Sequence, residues 1–408
     1  MRQFFARLLF FTLLILICFG GVRAWAQYEE TEGIKFGSFS IHPSIVTGMR
    51  YVDNIYFVPT NYRPLNKGSV PQGVESDFVF NVTPTVLLRL QVPTFKAQAS
   101  YELYNDDYLG YDDPQHRHTK LNAYNHTFSE LIDYQAPVGV FLTLDDKYLI
   151  QRAYEETTVY VDFIQGNQRH NEGHAILGYK HGPDENFYFA GKYTNVYDQY
   201  DQFGQFNRRA WYGDGDLRIK FLPLTAFVLQ GGYGQIAYPN MASKAATVFY
   251  GEGGLAGQLT SHLKIILKGG YQESDYTQFD SYKGPIGQAE FGAFWEENTQ
   301  ATVGYMRQVL DSSTTNFYVS DDIYLRLYHL WAERLGTEGT ASYQFNKFSR
   351  PTSSNQNFLD LKIELTFRMI YWLYLGGGYQ YDSIWLKSES TSNVTTRNIE
   401  FLKITAKF

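Results

Sequence analysis

The chain has 408 residues, 35 basic and 42 acidic side chains, a formal net charge of −7, and an aromatic content of 17 % with 34 Tyr and 31 Phe. An acidic balance with so many aromatics excludes a nucleic-acid binder, and the single cysteine, Cys18, excludes a disulfide framework. Beyond residue 26 no apolar run approaches the roughly 20 residues that a membrane-spanning helix needs.

Residues 1–26 read as a secretory signal peptide. Arg2 and Arg7 provide the positive start, Leu8 to Phe19 the apolar stretch, and Ala24, Trp25 and Ala26 an A-x-A cleavage site. Acylation at Cys18 is disfavoured because the bulky Ile17 stands where a lipoprotein signal wants a small residue. Cleavage removes three arginines and the only cysteine and takes the net charge to −10. A short periplasmic segment is expected at 27–36, followed by a single domain at 37–408.

That domain is patterned throughout as strands. Period-2 alternation predicts strands near 38–56, 76–92, 94–108, 121–135, 139–153, 169–181, 185–198, 208–221, 224–238, 246–259, 262–276, 285–298, 301–310, 317–332, 338–348, 357–369, 371–386 and 396–408. The clearest runs from 359 to 369: Leu359, Leu361, Ile363, Leu365, Phe367 and Met369 are apolar, while Asp360, Lys362, Glu364, Thr366 and Arg368 between them are polar. Only a strand places those two sets on opposite faces. Short links such as Val92 to Phe95, Phe221 to Thr225 and Met369 to Tyr371 alternate with longer loops rich in Asp, Asn, Ser and Gly. One rim of tight turns and one of longer loops, around strands with one apolar and one polar face, predict an all-β, transmembrane, antiparallel up-and-down β-barrel of 16–18 strands, with eighteen preferred. Its bilayer would be the bacterial outer membrane.

The last strand alternates to the final residue, with Leu402, Ile404, Ala406 and Phe408 on one face and Lys403, Thr405 and Lys407 on the other. This ending resembles the C-terminal signal read by the outer-membrane barrel assembly machinery, although Glu400, one step further back, departs from it. The first strand carries a second resemblance. Tyr51, Asp53, Asn54 and Tyr56 ahead of a long loop, then Pro84 in the next strand, are similar to the opening of the beta-barrel porin 2 family. That resemblance implies a barrel over nearly the whole mature chain and a link to exopolysaccharide export.

An eighteen-strand barrel is wide enough for an aqueous lumen. Arg218, Lys220, Lys264 and Lys268 form a candidate inward strip suited to anionic solutes or an acidic polysaccharide. Asp214, Asp216, Glu290, Glu296, Asp360 and Glu364 share that inner side, so a salt-bridged, hydrated wall is the expected alternative. Long loops are able to fold inward and constrict the pore. Trp211, Trp295, Trp331, Trp372 and Trp385, near strand ends, suit interfacial girdles.

Chemistry-bearing motifs are few. His116 and His118 beside Asp112 and Asp113 resemble a solvated loop more than a cation site; His170 and His174 share a face without a nearby third ligand; His42 and Ser44 share a face without a partner. No nucleophile elbow, zinc-protease motif or phosphate-binding loop occurs. A non-enzymatic channel with no metal and no cofactor is therefore expected, with the lipid bilayer, the assembly machinery and polysaccharide as partners. A barrel-embedded lipid or ester hydrolase and a closed structural or adhesive barrel are the alternatives.

Overall fold

The computed structural model describes residues 33–55, 57, 74–110, 121–154, 165–182, 186–201, 204–278, 280–295, 298–312, 315–349, 355–387 and 392–408. Nearly all of them lie in strands: β1 (Ile34–Phe36), β2 (Phe39–Val52), β3 (Asp77–Val92), β4 (Phe95–Tyr108), β5 (Ala123–Gln135), β6 (Val140–Tyr154), β7 (Gln165–His181), β8 (Phe187–Tyr200), β9 (Arg208–Leu222) and β10 (Thr225–Ala237). They continue as β11 (Ala246–Thr260), β12 (Leu263–Tyr276), β13 (Tyr282–Trp295), β14 (Thr299–Asp311), β15 (Phe317–Trp331), β16 (Leu335–Phe348), β17 (Asn355–Ile370), β18 (Leu373–Lys387) and β19 (Ser392–Lys407).

Each strand from β2 to β19 pairs antiparallel with its sequence neighbours, and β19 pairs with β2, from Ile399 opposite Val52 to Lys407 opposite Ser44. The eighteen strands thus form a closed ring. In lipid, where water cannot satisfy backbone polar groups, closure is what makes a sheet viable. The eighteen expected strands all occur, with ends shifted by a few residues. The short β1 adds a strand inside the 27–36 segment. It folds back on β2 through the turn at Gly37, whose φ of +64° suits glycine, and pairs Ile34 with Ile41 and Phe36 with Phe39. β1 therefore occupies the edge of β2 that β19 leaves uncovered.

The two faces of the sheet separate by chemistry. Ile363, 51 % exposed, and Leu229, 60 % exposed, stand with Phe189, Phe227, Phe249, Phe291, Val303, Leu402 and Ile404 on the outside. Large apolar side chains exposed in rows around a closed sheet are a lipid-facing belt. The alternate residues, including Arg218, Lys268, Glu290 and Glu364, line the inside and are joined by hydrogen bonds and ion pairs. Turns at one rim are short, as at 93–94, 223–224, 261–262 and 371–372; connections at the other are longer, as at 53–76 and 109–122.

Two ladders are interrupted locally, the first for a cause visible in the sequence. The β3–β4 ladder passes from Val82 opposite Asn105 to Thr85 opposite Glu102, skipping Thr83 and Pro84. Proline has no N–H to contribute to a ladder. The β13–β14 ladder stops at Gly287 opposite Arg307, whereas β12–β13 continues to Tyr282 and β14–β15 to Asp311. The sheet is thus split between β13 and β14 at the loop rim.

Candidate transport pathway

The lumen wall is built from rows of side chains that run across neighbouring strands. Arg218 on β9 stands opposite Val228, Val228 opposite Gly254, and Gly254 opposite Lys268 on β12. Two of the expected basic strip therefore share one row, separated by small or apolar residues. The adjacent row, one step toward the loop rim, is Asp216, Gln230 and Glu252. Opposite charges meet between the rows: Arg218 pairs with Asp216 at 2.5 Å, and Lys268 with Glu252 at 2.7 Å and Gln230 at 3.0 Å. Lys264 lies 3.6 Å from Glu290, which also accepts the Tyr324 hydroxyl at 2.7 Å. Lys220 lies one row nearer the short turns, opposite Ala226. The wall thus sets basic side chains beside acidic ones rather than presenting a basic strip alone.

The same design recurs across the lumen. Glu364 on β17 is held between Lys362 at 3.0 Å and Lys403 at 2.5 Å. Asp360 and Asp382 stand opposite each other, bridged by the Gln380 amide at 2.9 Å to each, and Arg397 reaches the fully buried Asp382 at 2.7 Å. Tyr250 donates to Asp214 at 2.8 Å. Arg50 binds Asp106 at 2.5 Å and Tyr104 at 2.7 Å. Glu296 lies outside the described residues.

The family-like residues form a clasp at the ring closure. Just beyond the end of the β2–β19 ladder, the Asp53 N–H donates to the Asn398 carbonyl at 3.2 Å, and the Asp53 carboxylate accepts the Asn398 backbone N–H at 2.7 Å and its side-chain amide. Asn54, almost wholly buried, donates to the Thr396 carbonyl at 3.0 Å. Tyr51 packs its ring on Phe78 at 5.2 Å. Tyr56 lies outside the described residues. At the other rim the Phe408 N–H donates to the Pro43 carbonyl at 2.9 Å, and its ring stacks on Trp372 at 5.3 Å. Leu402 and Ile404 face outward and exposed, while Ala406 is buried opposite Ile45 and Leu373.

The histidines are occupied. Asp198 takes His170 Nδ1 and Asp145 takes His174 Nδ1, each at 2.6 Å. Glu172, between them in sequence, lies 3.6 and 3.2 Å from their Nε2 atoms. Sequence reading missed Glu172 as the third member of this group, although its position two residues from each histidine placed it on their face. Among the described residues no group of three or more His, Cys, Asp or Glu is arranged to hold a metal ion. His42 Nε2 is engaged by Ser40 Oγ at 2.8 Å rather than by Ser44. The His116 and His118 loop lies outside the described residues.

At the loop rim the inner wall carries a buried apolar cluster. Ala210, Ile236, Val248, Tyr276 and Tyr282, from β9 to β13, pack with Phe317 and Val319 of β15 and with Val309 of β14. Parity makes this contact informative. On β15, Ile323 and Leu325 are exposed to lipid and Tyr324 points inward, so Phe317 and Val319 belong to the outer face. Yet they lie against the inner face of the opposing strands. Both statements hold because β14 and β15, freed from β13 above Gly287, fold inward across part of the mouth. Arg208 on the inner face of β9 reaches Asp311 at 3.5 Å; Tyr238 donates to the same carboxylate; and Lys244 donates to the Ser312 carbonyl at 2.6 Å. Burial, reinforced by the Asp311 charge, pushes the Tyr238 phenol well above its ordinary range, so it remains a donor.

A closed ring with a lipid-facing apolar belt and a polar interior is an outer-membrane β-barrel, and the chain is located in the bacterial outer membrane. No protein-family model matches it, and no curated protein does. Among solved structures it is similar to the outer membrane protein OpdK from Pseudomonas aeruginosa, at 9 % identity and a TM-score of 0.48, covering 90 % of this chain and 99 % of that one. It is also similar to the siderophore receptor PirA from Pseudomonas aeruginosa, at 8 % identity, TM-score 0.42 and coverage of 90 % and 80 %. The alcaligin outer membrane receptor FauA from Bordetella pertussis follows at 12 %, 0.37, and 89 % and 76 %. At such scores nothing about this chain's cargo follows from them.

Proposed function

We propose that the barrel is a porin-like channel through which hydrophilic solutes pass by diffusion, without catalysis and without a cofactor. The observation that carries this reading is the lumen wall of paired opposite charges, from Arg218 and Asp216 round to Lys403 and Glu364. Side chains of this kind on the inside of a barrel exchange hydrogen bonds with water and with a polar cargo at little cost. A wall holding both signs close together favours neutral or mixed-charge cargo over a strongly charged ion.

We further infer polysaccharide as the cargo class, in line with the exopolysaccharide export implied by the likeness of Tyr51, Asp53, Asn54, Tyr56 and Pro84 to the beta-barrel porin 2 family. The partners that follow are the bilayer, the polysaccharide and, through Phe408, the barrel assembly machinery. The inward-packed mouth favours a second reading, a structural barrel with a closed lumen. The hydrolase alternative has one contact in its favour, Ser40 Oγ to His42 Nε2 at 2.8 Å, the reach of a nucleophile to its base, though on the face of β2 that carries Arg50 and turns to the lumen rather than on the outer face.

Single-channel conductance of the refolded protein in a planar bilayer tests the proposal, with an acidic and a neutral polysaccharide added in turn. Steady conductance blocked by one of them supports it. A folded, inserted and silent barrel overturns a freely open channel and leaves a gated secretion component, a membrane enzyme or a structural barrel.

A further inference from the structure

The split between β13 and β14 leaves two strand edges that match each other. Continuing the register from Gly287 opposite Arg307 would set Ile286 against Gln308, Pro285 against Val309, Gly284 against Leu310, and Lys283 against Asp311. The last row brings opposite charges together. As the structure stands, Lys283 is instead engaged with Glu273 and, at 3.5 Å, with Asp275. Asp311 is turned into the lumen toward Arg208.

The inward position is held by identifiable contacts. Phe317 stacks on Tyr276 at 5.6 Å and meets Tyr282 edge-on at 5.7 Å. Asn316 donates to the Gln278 carbonyl at 2.7 Å and to that of Asp280 at 3.2 Å. The charged part of the latch is imperfect, however. Asp311 Oδ1 is buried without a hydrogen-bond partner, as is Arg307 Nε at the point where the ladder splits. Buried polar atoms left unpaired weaken the state that contains them. A free strand edge is likewise a template for pairing.

We propose that the loop-rim ends of β14 and β15 form a gate with two seats. In the closed seat their outer face covers the lumenal cluster of β9 to β13. In the open seat β14 zips onto β13 through Asp311, Lys283 takes over from Arg208, and the mouth is cleared. The consequence for passage rests on the channel reading above; the movement itself does not.

Cysteine crosslinking tests the movement. Directly opposed residues of an antiparallel pair lie about 4.5–5.5 Å apart at Cα, within the span of a disulfide. Gly284→Cys with Leu310→Cys should therefore crosslink under mild oxidant in the folded full-length barrel, recognised by its heat-modifiable gel mobility. If that pair does not fold, Pro285→Cys with Val309→Cys reads the neighbouring row. Crosslinking in a folded barrel, with oxidised channels conducting at least about twice as much as reduced ones, is the expected result, because a locked-open mouth removes the narrowest part of the path. Folded barrels that do not crosslink overturn the gate. Crosslinked barrels with unchanged, measurable conductance overturn its role at the mouth. Barrels that crosslink but are silent in both redox states uphold the movement and overturn the channel reading instead.

Discussion

At the scale of single residues, the meaning of a side chain in this barrel depends on parity before identity. Ile363 and Thr366 lie three positions apart on β17, yet Ile363 faces lipid and Thr366 donates to the lumenal Glu364 at 3.2 Å. An arginine at Ile363 would place its charge near the middle of the apolar belt and should cost about 2–4 kcal/mol. At Thr366 it would stand beside the Glu364 carboxylate and should cost under ~1 kcal/mol. Urea titrations of reversible refolding into vesicles compare the two, and equal losses would show that the assigned facing is wrong. The clasp offers a second test. Asp53→Ala leaves the Asn398 backbone N–H and side-chain amide without their acceptor at the ring closure. Such unpaired groups cost roughly 1–3 kcal/mol when buried, so the same titration should show a loss of that order.

Among elements, strand identity was far more legible than strand position. Residues 359 to 369 announce both their period and their face, and the other barrel strands follow the same rule wherever one face meets lipid and the other water. Pairing with distant residues does not leave such a mark. Asn398 has no sequence signal tying it to Asp53, and Glu252 cannot be matched to Lys268 without the register. The gate was hidden for a related reason: it depends on where one ladder ends. A trace of it is nevertheless present, since at the tip of β14 and β15 the residues Val309, Leu310, Phe317, Tyr318 and Val319 are apolar on both faces. Alternation fails there because both faces become covered. At the opposite rim, Phe408 joins β19 to Pro43 of β2 and to Trp372 in the turn before β18. We expect deletion of Phe408 to slow membrane insertion severalfold and leave unfolded chain in the periplasm, measurable by cell fractionation. Normal insertion would count against an assembly role for this end.

For the whole molecule, the paired rows make a prediction about ion selectivity that a basic strip alone would not. A lumen lined by unpaired arginine and lysine repels cations, because the field of one sign is uncompensated within a narrow low-dielectric wall. Here Arg218 and Lys268 each have a carboxylate within 2.7 Å, so their fields largely cancel over distances shorter than the Debye length of about 8 Å at physiological salt. The intact channel should therefore show a chloride-to-potassium permeability ratio close to one. Replacing Asp216 and Glu252 together with Asn and Gln keeps shape and hydrogen bonding but removes two negative charges from one row. The neighbouring basic row is then uncompensated, and the ratio should shift severalfold toward chloride, measured as a reversal potential in a salt gradient. The shift should shrink as total salt is raised, since screening acts on the same field. A ratio unmoved by both substitutions would mean that permeating ions do not pass this stretch of wall, and that the conducting path, if present, lies on the side of β17 to β19.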